Sequence, residues 1–406
     1  MAAAPSFRWS PHEAVPRGTM RSFTTLLEAE LEALSAADRR RSCPEASGAS
    51  RVHPELRGQP MLSFCSNDYL GLASHPALAT AAAEAAARDG YGASASRLVS
   101  GDLPAHRALE SALSVFLDRP SALTFPSGYQ TNLGVVTALA GREDLIVSDA
   151  LNHASLVDGC RLSRARVEIY PHADAAAARR LLAADGPFRR RLLVTESLFS
   201  MDGDAAPLAA LAEAAAATDA ILIVDEAHAF GVLGPGGRGL CAAAGVAPDV
   251  LLGTLGKAVG SAGGFVAGAP ALRELLVNRA RTFIFTTALP PPVAAAAAAG
   301  VGLIAGPEGD RRRALLNERR EALGEALVGR GLVPGIPAGP ILPVVLGSEA
   351  RALAVADGLR ARGLFIPAIR PPTVPAGSSR LRITLSSAHQ PADLARLLTA
   401  LAEVLA

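Results

Sequence analysis

Lysine occurs once in the 406 residues, at position 257, although Lys+Arg number 39. A chain that spells all its other basic side chains as arginine has kept one lysine, and it sits between glycines after an apolar run, in Leu251-Leu-Gly-Thr-Leu-Gly-Lys257. Arginine replaces lysine in most ion-pairing roles, but not as an amine that must lose its proton and attack a carbonyl. Lys257 therefore reads as a Schiff-base lysine. Other groups with matching chemistry occur at strand ends. Asp225 closes the apolar run Ile221–Val224, where a buried carboxylate needs a cationic partner. His228 follows three residues later, and His153 stands at an expected helix start in Leu151-Asn-His-Ala-Ser155. Gly128 and Tyr129 open a helix after a strand, where backbone N–H groups and the helix dipole hold phosphate readily. Ser200 and Thr254 add hydroxyls.

These are the parts that pyridoxal phosphate asks for. Lys257 is the amine for its aldehyde, and Asp225 is the carboxylate that keeps its ring nitrogen protonated. His228 is a donor to the ring hydroxyl and His153 a flat group for the ring face. Gly128, Tyr129, Ser200 and Thr254 are the surroundings of cofactor and phosphate.

Two motifs point elsewhere and fail. Gly234-Pro-Gly-Gly-Arg-Gly239 spells GxGxxG but does not open a helix directly after a strand, as a dinucleotide site requires. Asp225-Glu-Ala-His228 spells a helicase motif, yet no GxxxxGK[ST] loop precedes it and Ala258 follows the only lysine. The net charge of +1 and 4% aromatic content argue against a nucleic-acid surface. Cys43, Cys65, Cys160 and Cys241 are far apart, so neither a metal site nor a disulfide framework is expected, which fits a cytoplasmic protein. The uncharged stretch Thr282–Pro307 is broken by Pro290 to Pro292, which removes it as a membrane span. No signal peptide is expected in the first twenty residues, and Met20 is a candidate start.

The elements that must position these groups follow from the apolar pattern. A helix is expected over Ser22–Arg40, with a stripe of Phe23, Leu26, Leu27, Leu31 and Leu34. Pro44–Gly58 reads as loop, and a short strand opens Met61–Gly71. Strands are expected at Ala122–Phe125, Leu145–Val147, Val167–Tyr170, Leu192–Thr195, Ile221–Val224, Val250–Leu252 and Phe265–Ala267. Alanine-rich helical stretches long enough for crossovers separate most of them. The class is α/β: a mostly parallel seven-stranded sheet with helices on both faces, plus a smaller C-terminal α+β domain. Residues 1–60 read as an extension with a helix, 61–290 as the large domain, and 291–406 as a linking helix and the small domain. The last part is expected to hold strands at Ile341–Leu346, Phe365–Ile369 and Leu381–Leu385.

The runs Phe64-Cys-Ser-Asn-Asp-Tyr-Leu-Gly-Leu72, Ser197-Leu-Phe-Ser-Met-Asp-Gly-Asp204, Asp225–His228 and Thr254–Lys257 resemble the α-oxoamine synthases, fold-type-I pyridoxal-phosphate transferases. The resemblance covers nearly the whole chain from about Ser22. Arg97-Leu-Val-Ser-Gly101 with His106, Phe283–Pro290, and Ala368-Ile-Arg-Pro-Pro-Thr-Val-Pro-Ala-Gly377 followed by Arg380-Leu-Arg382 are most similar to the branch that condenses L-alanine with a pimeloyl thioester for biotin. The resemblance implies a homodimer with interface sites and acyltransferase chemistry, carried by Lys257, His153, Asp225 and His228. It also implies that Arg370 takes the amino-acid carboxylate. By the same resemblance, Thr373 and one arginine of the 39–41 run, taken as Arg39, meet the acyl substrate, and Asn67 lies near it. Phe230 and Ser261-Ala262 depart from the family pattern and are expected to reshape the acyl channel. Two alternatives stay open: a sister synthase using glycine with acetyl-, succinyl- or long-chain acyl-CoA, and a non-catalytic protein of the same fold.

Overall fold

The structure is a computed structural model that describes residues 22–406. The extension of residues 1–20, with Met20, lies outside the described residues. The described residues fall into two units, one ending at Cys43 and the other spanning Pro44–Ala406.

In the first unit, α1 spans Phe23–Ala36, and Ser22 caps it by accepting the Thr25 N–H. The expected helix ran on to Arg40. Instead the chain turns at Asp38, whose φ of 53° is a left-handed conformation that aspartate tolerates. The apolar stripe is present at helical spacing, and no residue of α1 is buried.

The second unit is built on a seven-stranded sheet. Its strands are β1 (Ser121–Phe125), β2 (Leu145–Asp149), β3 (Arg166–Tyr170), β4 (Arg191–Glu196), β5 (Ala220–Asp225), β6 (Val250–Thr254) and β7 (Gly264–Gly268). They lie in the order β1-β7-β6-β5-β4-β2-β3. Only β7 runs antiparallel to its neighbours; the pairings β6–β5, β5–β4, β4–β2 and β2–β3 are parallel. All seven expected strands are present, each extended by a residue or two.

Successive residues of the central strands feed opposite cores. Ile146, Leu192, Val194 and Ile223 pack on one face; Leu145, Val147, Leu193, Leu222 and Val224 pack on the other. That two-sided burial is why these strands read as unbroken apolar runs. Among the helices that flank the sheet, α2 (Pro76–Asp89) and α3 (Pro104–Leu117) pack against the long helix Pro291–Ala305, while α4 (Gly128–Leu139) packs on α5 (Ala154–Ser163). The smaller sheet has β8 (Ile341–Gly347), β9 (Ala368–Ile369) and β10 (Ser379–Thr384), in the order β8-β10-β9. Among the described residues no helix is long and apolar enough to cross a membrane.

Two local expectations are corrected. Pro44–Gly58 is not all loop: Ala46–Ser47, Glu55–Leu56 and Gln59–Pro60 form a small antiparallel sheet. Arg57 and Gly58 both have positive φ, the two-residue turn that matches strand twist, but Arg-Gly lacks the usual Asn-Gly signature. Phe365–Ile369 is not one strand. Pro367 interrupts it, so Leu364–Phe365 pairs with Leu62–Ser63 while β9 pairs with β10.

The approach of β7 to the start of α4 depends on Gly264. A Cβ there would stand 2.6 Å from Gly128 Cα and 2.7 Å from Gly128 N. Backbone atoms cannot move aside cheaply, so Gly264→Ala should cost about 1–3 kcal/mol. Urea unfolding is expected to show a lower midpoint at unchanged slope.

Candidate active site

The carboxyl edge of the parallel strands collects the polar residues, as open α/β sheets require of their ligand sites. β4 ends on Glu196 and β5 on Asp225, and the sheet register makes them direct neighbours. Asp225 accepts hydrogen bonds from the Asn132 amide at 2.7 Å and the Ala227 N–H at 2.9 Å. The same Asn132 amide donates to Ser155 Oγ at 2.9 Å, and that hydroxyl meets His153 Nδ1 at 2.7 Å. His153 caps α5, and its backbone N–H donates to Glu196 Oε1 at 2.6 Å. Burial, and then the charge of Asp225, push the Glu196 carboxyl up to about 8. Burial lowers the His153 imidazole against the opposing pull of Asp225.

Lys257 enters from the turn after β6. Its Nζ lies 2.8 Å from His228 Nε2. Burial brings the amine down from 10.5 to about 8, although Asp225 and Glu196 both favour its charged form. His228 is held well below its ordinary value by burial, then by the charges of Lys257 and Arg382. Its Nδ1 meets the Tyr69 hydroxyl at 2.7 Å, and that hydroxyl donates to Asn67 Oδ1 at 3.0 Å. With the phenolic proton on Asn67, Nδ1–H donates to Tyr69, which leaves the Nε2 lone pair facing the lysine. This tautomer is assigned from the hydrogen-bond network. Arg382 closes the chain by donating to Asn67 Oδ1 at 3.2 Å.

A cavity of about 150 Å³ brings together Gly128, Tyr129, His153, Asp225, His228, Thr254 and Lys257. A wider one, about 560 Å³, shares His153 and is lined by Ser200 and Thr373. Within the first, the Thr254 hydroxyl donates to the Gly263 carbonyl at 3.0 Å, and the exposed Tyr129 phenol donates to Asp158. Asn67 joins the site through Tyr69 and Arg382. Arg370 follows β9 and is buried, but it lines neither cavity. Arg39 belongs to the N-terminal unit.

Residue-by-residue reading missed Asn132, Ser155, Glu196, Tyr69 and Arg382 as site groups. Asn132 carried a signal, as a polar amide one turn after Gly128 on a helix whose later buried residues are apolar. Glu196 carried another, at a strand's carboxyl end. Phe230 is not beside either cavity: it is fully buried, edge-on to Phe116 and Phe265 at 5.5 and 4.8 Å between ring centroids. Ser261 likewise faces inward, donating to the Val293 carbonyl at 3.0 Å.

Sheet order and site together are those of a fold-type-I pyridoxal-phosphate transferase. The chain belongs to the family described as aminotransferase class I and II, whose model matches residues 59–401. It is 52% identical over 381 residues to the 8-amino-7-oxononanoate synthase of Anaeromyxobacter dehalogenans, covering 93% of this chain and 94% of that one. Among solved structures, it is similar to a serine palmitoyltransferase variant from S. paucimobilis with a bound PLP–myriocin aldimine, with a TM-score of 0.88 and 29% identity over 95% of this chain and 98% of that one. The 8-amino-7-oxononanoate synthase of Francisella tularensis gives a TM-score of 0.74 and 28% identity over 85% and 98%.

Because Lys257 is the only lysine, amine chemistry reports on it directly. Acylation of the cofactor-free protein by a small activated ester, read by peptide mass, should rise with a midpoint near pH 8 instead of 10.5. A midpoint above 10 would contradict the burial argument. The unfolded amine keeps its proton longer than the native one, so this group's contribution to stability increases from pH 8 to 10.5.

Proposed function

We propose that the chain condenses L-alanine with a pimeloyl thioester, releasing carbon dioxide and the thiol of coenzyme A or a carrier protein, to give 8-amino-7-oxononanoate for biotin biosynthesis. The reading rests on one observation above all. The sole lysine is a buried amine next to two carboxylates and 2.8 Å from a neutral histidine, in a chain 52% identical to a synthase of that name.

The donor set fits pyridoxal phosphate. Lys257 supplies an amine with its proton loosely held, and Asp225 a carboxylate for the ring nitrogen. His228 supplies a partner for the ring hydroxyl, and His153 a flat face. The first N–H groups of α4, at Gly128 and Tyr129, have no partner within the helix and suit a phosphate, with Ser200 and Thr254 as hydroxyls. Gly128 leaves room for close approach, since a Cβ there would stand 3.3 Å from Thr254. When bound, the cofactor supplies an electron sink for negative charge at the amino acid's α-carbon.

The protein's own groups do the rest. Lys257 Nζ takes the α-proton, and a value near 8 leaves free base available close to neutral pH. Arg370 binds the amino-acid carboxylate with a planar, bidentate guanidinium. Thr373 and Arg39 meet the acyl substrate, Asn67 stands near it, and His153 delivers a proton during condensation. The enzyme works as a homodimer in the cytoplasm. The exposed apolar residues Tyr91, Leu98, Val99 and Phe285 support the dimer, because apolar surface of that kind is what subunit contacts cover.

Thiol release should be measured across alanine, glycine and serine, each with pimeloyl, acetyl, succinyl and palmitoyl thioesters. Alanine with pimeloyl thioester is expected to be fastest, and glycine or serine strongly beating alanine would overturn the assignment. Lys257→Ala is expected to lose both turnover and the cofactor absorbance at the edge of the visible.

A further inference from the structure

His172 lines neither cavity, yet it joins two loops that do. Its Nδ1 bonds Asp149 Oδ1 at 2.9 Å, and its Nε2 bonds Asp204 Oδ2 at 2.7 Å. Asp149 ends β2 with a fully buried side chain that also accepts the Leu151 N–H at 2.8 Å and the Ala173 N–H at 2.9 Å. Asp204 Oδ1 is buried with no hydrogen-bond donor among the described residues, so His172 is a main tie for that carboxylate. The ring also stands edge-on to Phe199, 4.4 Å between centroids at 88°.

One imidazole thus ties three segments: the end of β2, the loop after β3, and the turn from Ser197 to Asp204. The first leads directly into Asn152 and His153. The last carries Phe199 and Ser200, which line the wider cavity with Thr373. That turn is closed on itself by the Phe199 N–H donating to the Asp204 carbonyl at 2.9 Å. Both ring nitrogens can donate at once only in the imidazolium form. The Asp149 and Asp204 hydrogen bonds raise the group to about 10, so that form persists across the neutral range.

We infer that His172 is a positioning residue: as a cation shared by Asp149 and Asp204, it sets the separation of the His153 loop from the Ser200 turn and so the width of the cavity between them. A neutral side chain reaches one carboxylate at a time and leaves Asp149 buried without its counter-charge. That this cavity takes the acyl substrate rests on the function proposed above; the tie between the loops does not.

Hydrogen–deuterium exchange on the holoenzyme separates the two claims. His172→Gln is expected to speed exchange in residues 149–155, 171–174 and 197–204 only, with β4, β5 and β6 unchanged. The KM for the acyl thioester should rise about tenfold while kcat stays within about threefold. Asp204→Asn, which keeps an oxygen acceptor for Nε2, should give the same local pattern more weakly. Unchanged exchange in those segments in both variants would overturn the inference. So would an increase spread evenly over the sheet, which is the mark of a general loss of stability. A wild-type enzyme inert toward pimeloyl thioester would defeat the substrate reading alone and leave the exchange result to decide on His172.

Discussion

Parallel register sets the last residue of β4 against the last residue of β5, and both are carboxylic acids shut away from water. Two carboxylates so placed cannot both ionise without help. The help is what organises the site. Asn132 donates to Asp225, the His153 backbone N–H donates to Glu196, and the Lys257 amine lies within reach of both fields. The proton that Glu196 holds until about pH 8 and the one that Lys257 releases near the same value follow from a single arrangement of charge. A surface lysine beside the same acids would gain little, because water would screen the attraction and no burial would loosen its proton.

The histidines divide the remaining work by environment. His228 lies in a buried line from Arg382 through Asn67 and Tyr69 to Lys257, and its neutral ring presents a lone pair to the amine. His153 stands at a helix start, where its ring nitrogen takes the Ser155 hydroxyl and its backbone serves Glu196. His172 is the opposite case: two carboxylates on its ring make it a cation that titrates far above the others. Three histidines of one chain therefore do three different jobs, and each is set by its burial and its hydrogen-bond partners.

Much of this could be read in the sequence. The central strands were legible because burial on both faces writes continuous apolar runs, and the crossover helices between most strands point to a mostly parallel order; β7, which follows β6 without a helix, is the antiparallel exception. Lys257, Asp225, His228, His153 and the start of α4 were legible because ligands gather at carboxyl ends of strands, so motif position pointed to site position. What could not be read depended on pairings between distant segments. Glu196 matters because of register with Asp225, and Tyr69 and Arg382 because segments far apart in the chain join one hydrogen-bonded line that ends at His228. Pro367 split an expected strand by removing a donor. Phe230 lies away from both cavities because Phe116 and Phe265, far from it in the chain, draw it into the core, a pairing no single stretch of sequence displays.

The smaller sheet has a consequence for how the protein is made. Arg382 lies on β10, the central strand of that sheet, and it bonds both the Ser200 carbonyl and Asn67. During synthesis the chain emerges from its N-terminal end, so the strands bearing Lys257 and its acids leave the ribosome well before β10 does. Burial does most to lower the amine, and the charge of Arg382 adds to it once β10 is in place. The last contribution to the lowered amine, the charge of Arg382, therefore arrives only once translation is almost finished.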